Sequence, residues 1–543
     1  MIMKKRKNWL TALLSMFVLA SCSLEEDTSS FSTPDNFYQT KEQCLSALNS
    51  CYIPLNGTYN YTLFIATEAC TDIMYINSGT LDSRLDISPA KPRHGETVWN
   101  NGYKGVMYCN AAINGIENSP LEENEKLPLL GEGKIMRAFY YYLLTSFFGD
   151  VPFYTEHVAD VETQQKIGRL GRMSAVETRE YLIKELSAIV PLMDQVRSSE
   201  VASNRTGAAT GWMLIAKMAM WNKKWDTAID AISKLEEIYG DLGQYPLEDV
   251  MFRNKNTPES IFEIQHSYVA GGLNYTSNLA SICMPITRRS GTCEYDGVEI
   301  PELGDKSTCW TPWRPTAYFC QNLQTKIGGD LRAKYNMAWE YNGHAFKSVS
   351  TAPWPGPKFW CPYLDSSRDG NNYKIFRYAD ALLMKAECYC QLEQDPDIAM
   401  KYLNMTRNRA GIGDYPKFRT WARLMDEIQK ERGRELIGEF QRKFDLGRWG
   451  IWYTQTYENT GSSSLKENIR PCHEYYPIPD TQVVSSCLSC SSFCCVSSFF
   501  DSLFCNCDSV CSCKVFISSG MTVMVFPEYP GVVSTGIQPM PCT

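Results

Sequence analysis

The chain has 543 residues, of which 44% are hydrophobic and 21% charged. That is globular composition with ample length for a buried core, and it excludes disorder throughout the chain. A formal charge of -8 argues against a nucleic-acid partner, because a phosphate-binding surface needs a basic excess. Cysteine is unevenly spread. Nine of the 22 cysteines fall between residues 481 and 543, and the rest of the chain has an ordinary density.

Lys4, Lys5, Arg6 and Lys7 form a positive start, followed by a short apolar stretch from Trp9 to Ala20. Such a stretch is too short to span a bilayer core of about 30 Å as a helix, so residues 1–21 read as a secretory signal. It ends in Leu19-Ala20-Ser21-Cys22, which resembles the lipobox of bacterial lipoproteins. That resemblance implies cleavage before Cys22 and lipid on its thiol, a durable anchor when several acyl chains are attached. The acidic run Glu25-Glu26-Asp27 then resembles the surface-export signal of Bacteroidetes lipoproteins. Loss of the four leading cations would take the formal charge to about -12.

The body reads as helical. Apolar periodicity predicts helices over Lys41–Cys51, Trp99–Ile116, Gly131–Phe148 and Ser174–Met193. Residues 72–98 are polar and rich in turn formers, so they read as loop or short strand. A helix pair follows at Ala208–Met220 and Trp225–Tyr239, and a second at Arg377–Leu392 and Pro396–Arg409. Small residues (Ala216, Ala228, Ala231; Ala386, Ala399) fall where hairpin helices would cross closely, a pattern that resembles tetratricopeptide repeats. The expected fold is therefore mainly α, with a helical-repeat scaffold over about 34–265 and 374–455. Residues 266–373, rich in Gly, Pro, Ser, Asn, Trp and Tyr, form an irregular lobe between them; loops of this kind on a rigid scaffold commonly carry function.

A series of blocks in fixed order identifies a family. They are Gly131 to Tyr140, running on to Phe147-Phe148-Gly149-Asp150-Val151-Pro152; Asn204 to Ala209; Arg377 to Glu387; and Asn404 to Gly411. Glu431-Arg432-Gly433-Arg434-Glu435-Leu436, Glu439 to Trp449, and Tyr476-Pro477-Ile478-Pro479 complete it. Together they resemble the SusD/RagB family from the lipobox to about residue 480. The resemblance implies a tetratricopeptide-like helical domain, an outer-membrane lipoprotein exposed at the cell surface, and capture of oligosaccharides. It also implies delivery to a SusC-like TonB-dependent barrel transporter. The alternative is a surface lipoprotein that binds or processes another nutrient, such as host glycoprotein or peptide, since RagB-type members need not bind starch.

In these blocks Arg377 and Asp380 are expected to pair or cap at a helix start. Glu431, Arg432, Arg434, Glu435, Arg442, Asp445 and Arg448 alternate in sign as a bridged network would.

Nothing in the chain spells out a catalyst. His94, His157, His266, His344 and His473 are scattered, with no pair at metal-ligand spacing. There is no nucleophile elbow, phosphate loop or three-glycine dinucleotide fingerprint. The acidic stretch Asp365 to Gly370 lacks a distal glutamate and reads as a turn rather than a calcium loop. The two carboxylates of a glycosidase could lie anywhere among the 61 acidic residues, so spacing leaves that open; it is the family resemblance that implies a protein that is not an enzyme, with no cofactor or metal.

A sugar-binding face needs flat aromatics for ring faces and polar groups for hydroxyls. The first loop offers Asp72, Tyr75, Asn77, Arg84, Arg93 and His94. The lobe offers Tyr268, Asn274, Tyr275, Trp310, Trp313, Tyr318, Trp354 and Trp360. Trp99 and Tyr103 are expected in the core. The cysteines between 283 and 320 could hold a disulfide outside the cytoplasm, and the other body cysteines read as small buried hydrophobes. The tail, 481–543, departs from the family pattern. Its sulfur ligands would suit soft metals, but its Phe-Ser-Cys bias and few charges read as translation in a wrong frame, without a fold of its own.

Overall fold

In the computed structural model of the chain, the described residues are 37–482, less 77–81, 270–274 and several short stretches between 285 and 365, with two strands beyond them. The expectations for the signal segment, Cys22 and most of the tail lie outside these residues. Chain contacts divide the protein at Cys487. In the unit Leu488–Thr543, Cys513–Phe516 pairs antiparallel with Met524–Pro527.

Helix α1 (Lys41–Ser50) begins with a capping box: Thr40 accepts from the Gln43 N–H, and the Gln43 side chain accepts from the Thr40 N–H. Helices α2 (His94–Glu117) and α3 (Glu123–Phe148) follow as a long antiparallel hairpin. Both start earlier than their apolar periodicity suggests. The α2 start is His94, whose backbone N–H donates to the Asp82 carboxylate at 3.1 Å, so a distant cap supplies what the local sequence lacks. In α3 the added turns are polar and contain Pro128, features that read locally as a helix boundary. Tyr140 of α3 lies against Gly105 of α2 and donates to the Cys51 carbonyl, so α1, α2 and α3 meet around one ring.

Helix α4 (Ala175–Ile189) is capped by Ser174 and packs against α3 and α5 (Ala208–Trp221). Helices α5 and α6 (Trp225–Tyr239) form one hairpin, and α7 (Tyr378–Gln391) and α8 (Pro396–Arg409) the next. Asp395 caps α8, with Pro396 at its first position, where the missing N–H costs nothing. Although the hairpins are far apart in sequence, α6 packs directly on α7, and α7 on α9 (Trp421–Leu436). The five alanines are buried at the crossings, as the tetratricopeptide-like pattern requires.

Between the hairpins the chain leaves the scaffold and returns through a two-stranded neck. Strand β2 (Ser260–Ile264) pairs antiparallel with β4 (Tyr373–Arg377). Every residue of both strands is buried, including the cross-strand pair Lys374–Glu263 at 2.8 Å. Residues 265–372 lie between these two strands.

Arg377 and Asp380 do pair, but not with each other. Arg377 at the end of β4 reaches Glu259 (2.7 Å), Glu435 (3.1 Å) and Glu439 (2.8 Å), whereas Asp380 meets Lys217 (2.6 Å) and Arg432 (2.8 Å). The end of a strand and the first turn of the helix after it point their side chains to different sides, so each joins its own network. Asp445 bridges Arg432 and Arg448, and the Arg448 guanidinium also meets Glu387. Buried charges at this density persist because nearly every one is paired and hydrogen-bonded.

Candidate ligand-binding site

The two loops singled out from the sequence meet in space. Strand β1 (Met74–Ile76) of the first pairs antiparallel with β3 (Trp313–Pro315) of the lobe, with Tyr75 opposite Arg314. The ladder is extended at one end by Thr316, whose N–H donates to the Ile73 carbonyl (2.9 Å) and whose hydroxyl donates to the Asp72 carbonyl (2.6 Å). Strand alternation sends Met74 and Ile76 into the core and leaves Tyr75 half-buried on the other face.

On that face the Tyr75 ring lies against Gly461, where an added Cβ would come within 2.7 Å of it. Arg314 stacks over the Trp354 ring at 5.1 Å. Trp354 in turn stands on a neighbouring pair, Trp354–Pro355 with Met337–Ala338. Burial pushes the Tyr75 hydroxyl above its ordinary pKa, and nearby Arg314 pulls it back. Tyr318, one turn beyond β3, is half-buried, and burial together with Asp72 raises its hydroxyl to about 12. Tyr275 in the lobe stands 56% exposed, its carbonyl accepting from the Ser267 N–H at 2.7 Å. Tyr75, Tyr318 and Tyr275 could offer flat rings and hydroxyls to a neutral polar ligand. Among the described residues no cluster of three or more His, Cys, Asp or Glu could hold a metal ion.

Several of the candidate ligand contacts are buried and engaged within the protein. Asp72 is buried and spends both carboxylate oxygens on the Arg442 fork, at 2.8 and 2.6 Å. Trp313 is 1% exposed, packs edge-on against Phe64 (4.0 Å between centroids) and donates its indole N–H to the Ile282 carbonyl. His94 is buried at the start of α2, and burial holds its imidazole neutral with a pKa near 4. Trp354 and Trp360 are buried as well, the latter donating to the Pro355 carbonyl. For Trp313 the reason is that a two-stranded ladder this thin is stabilised by packing large side chains beneath it. Arg93 pairs with Asp86 at 3.3 Å, and Arg84 is exposed. Tyr268 is half-buried. Asn77, Asn274 and Trp310 lie outside the described residues. Trp99 and Tyr103 pack in or against the core, as expected. Cys283 and Cys320 are thiols, and Cys320 bonds the Thr316 carbonyl.

Arg314 was missed in the sequence. Its one signal is a cation between Trp313 and Pro315 in a short extended run, which is too common a pattern to single out.

Comparison with known proteins agrees at both ends of the body. A family model described as starch-binding associating with the outer membrane matches residues 25–211, and the SusD family model matches residues 362–486. The chain is similar to SusD-like protein P25 of Formosa agariphila, with 24% identity over 88% of this chain and 96% of that protein. Among solved structures it resembles a SusD homolog from Bacteroides thetaiotaomicron at 18% identity and a TM-score of 0.69, covering 83% of this chain and 96% of that one. It also resembles surface glycan-binding protein A from the same organism, solved in complex with laminarihexaose, at 19% identity and a TM-score of 0.62, covering 82% and 97%. Helical scaffold, ordered sequence blocks and matches at both ends converge: the chain belongs to the SusD/RagB family, whose members bind carbohydrate rather than catalyse its conversion.

Proposed function

We propose that this protein is a lipid-anchored outer-membrane protein, exposed at the cell surface, that captures oligosaccharides and delivers them to a SusC-like TonB-dependent barrel. Residues 22–480 would be the binding body and Cys22 the anchor. The observation that carries the reading is the β1–β3 ladder, which joins the two loops with sugar-binding composition and leaves Tyr75 half-buried on one of its faces. The glycan complex of a protein with the same fold supports it. No helix among the described residues is long and apolar enough to cross a membrane; in this reading the attachment is the lipid on Cys22.

Calorimetric titration of the intact protein against starch, laminarin and other soluble oligosaccharides tests the reading. Each good stacking contact contributes about 1 kcal/mol, so Tyr75→Ala and Tyr275→Ala should each weaken binding several-fold. Peptide binding with no affinity for any glycan would overturn the choice. Retention of Cys22→Ser in the detergent phase would refute the anchor.

A further inference from the structure

We infer that Glu68 and Asp72 are positioning residues for the ligand face, holding the start of the β1–β3 ladder on the scaffold turn 438–442 without contacting ligand. This deepens the proposed function and rests on the reading that the ladder carries the ligand face.

The two carboxylates reach the turn from the π-helical segment Ile65–Ala69 and the residues just after it. Such one-residue insertions into a helix often mark functional positions. Glu68 is fully buried and accepts three backbone N–H groups: Gly438 at 3.0 Å, Gln441 at 2.8 Å and Arg442 at 3.2 Å. Asp72 grips the side chain of the same Arg442 in a two-pronged ion pair. Four residues apart, they bind one turn by its backbone and by its guanidinium.

That turn needs holding. Gly438 has a φ of +78°, and a side chain there would run into Phe359. Phe440, with a φ of +61°, is a non-glycine residue in left-handed backbone, a conformation that surrounding structure must impose. Its ring is fixed against Phe64, Tyr59 and Tyr373, each at 5.3 Å between centroids. The turn also reaches both other parts of the molecule. Gln441 donates to the Ile375 carbonyl of the neck strand β4 (3.0 Å) and accepts from Lys217 of α5 (3.2 Å). Scaffold, neck and ladder therefore meet at five residues.

From Asp72 the hold passes directly to the ladder. Its carbonyl accepts from the Thr316 hydroxyl, and the next carbonyl, Ile73, accepts from the Thr316 N–H. A two-stranded ladder of three residues per strand is marginal alone. Its register, and so the placement of Tyr75 opposite Arg314, depends on this end being fixed.

Hydrogen–deuterium exchange on the full chain, read peptide by peptide, tests the clamp independently of any ligand. Asp72→Asn should speed exchange across 73–76 and 313–316 by about tenfold, as local opening replaces global opening there. Arg442→Lys, which keeps the charge but loses the fork, should do the same. The control is Glu132→Gln, which breaks another buried carboxylate–arginine contact, to Arg205 at 2.8 Å. It should lower the melting temperature comparably but leave ladder exchange and glycan affinity at wild-type values. Glycan affinity of Asp72→Asn should fall about tenfold, the equivalent of 1.4 kcal/mol. Wild-type ladder exchange in Asp72→Asn, or equal acceleration in the Glu132 control, would overturn the inference. If the wild-type chain binds no glycan, the proposed function fails, and the exchange arm still decides the clamp.

Discussion

Trp313→Ala separates packing from recognition at the ligand face. The ring is 1% exposed and lies on Phe64, so its removal takes a fully buried indole out of the core. Truncating a buried Trp costs about 3–5 kcal/mol, cavity included. The Ile282 carbonyl that accepted the indole N–H at 2.7 Å is left without that donor, adding about 1 kcal/mol. For a body of roughly 450 residues the unfolding entropy is about 0.9 kcal/mol per degree, so the melting midpoint should fall by about 4–6 °C. Differential scanning calorimetry reads this directly. Tyr275→Ala, at a ring 56% exposed, should cost about 0.5 kcal/mol or less and leave the midpoint within about 1 °C. Its loss should appear in glycan affinity instead. If Trp313→Ala keeps the wild-type midpoint while abolishing glycan binding, the ring faces ligand and the packing argument is wrong.

Two further outcomes follow from buried groups. At Glu431 burial favours the neutral acid, but Arg332 and Arg434 outweigh it and hold the pKa at about 2. A carboxyl lowered on folding adds stability that is complete above its unfolded value and lost as pH falls through the folded one. Melting curves between pH 6 and 2 should therefore show a loss of order 3 kcal/mol, and a flat profile would contradict the network. Glu68 runs the other way: burial raises it to about 7 against its three backbone donors, so its contribution should decline as pH rises from about 4.5 to 7, and Glu68→Gln should remove that slope. Gly105→Ala drives a methyl group into the Tyr140 ring, which its hydroxyl bond to Cys51 keeps in place. Overpacking of this kind costs about 1–3 kcal/mol, seen as a lower midpoint; a midpoint at or above wild type would mean that α2 and α3 can separate freely.

Much of the architecture is local and therefore readable from the chain. Thr40, Ser174 and Asp395 announce helix starts through side-chain oxygens that need only residues two or three positions away. The alanines of the two hairpins mark close crossings, and the run rich in Gly, Pro and aromatics after residue 265 lies between the neck strands. The starts of α2 and α3 were not readable. The first depends on Asp82, twelve residues upstream, and the second passes through a proline.

Residue order alone carried the family blocks, the helical scaffold and the two loops that β1 and β3 join. Those rest on residue order and short-range periodicity, which one chain displays in full. Tertiary structure alone set which of the described loop residues are buried and which are exposed. An aromatic in a polar loop reads the same whether its ring packs beneath the loop, as Trp313 does, or stands in solvent, as Tyr275 does. An aspartate reads as a hydroxyl acceptor until its partner is known, and the partner of Asp72 lies 370 residues away. Burial and ion pairing are properties of what surrounds a side chain, and in this protein those surroundings are assembled from opposite ends of the body.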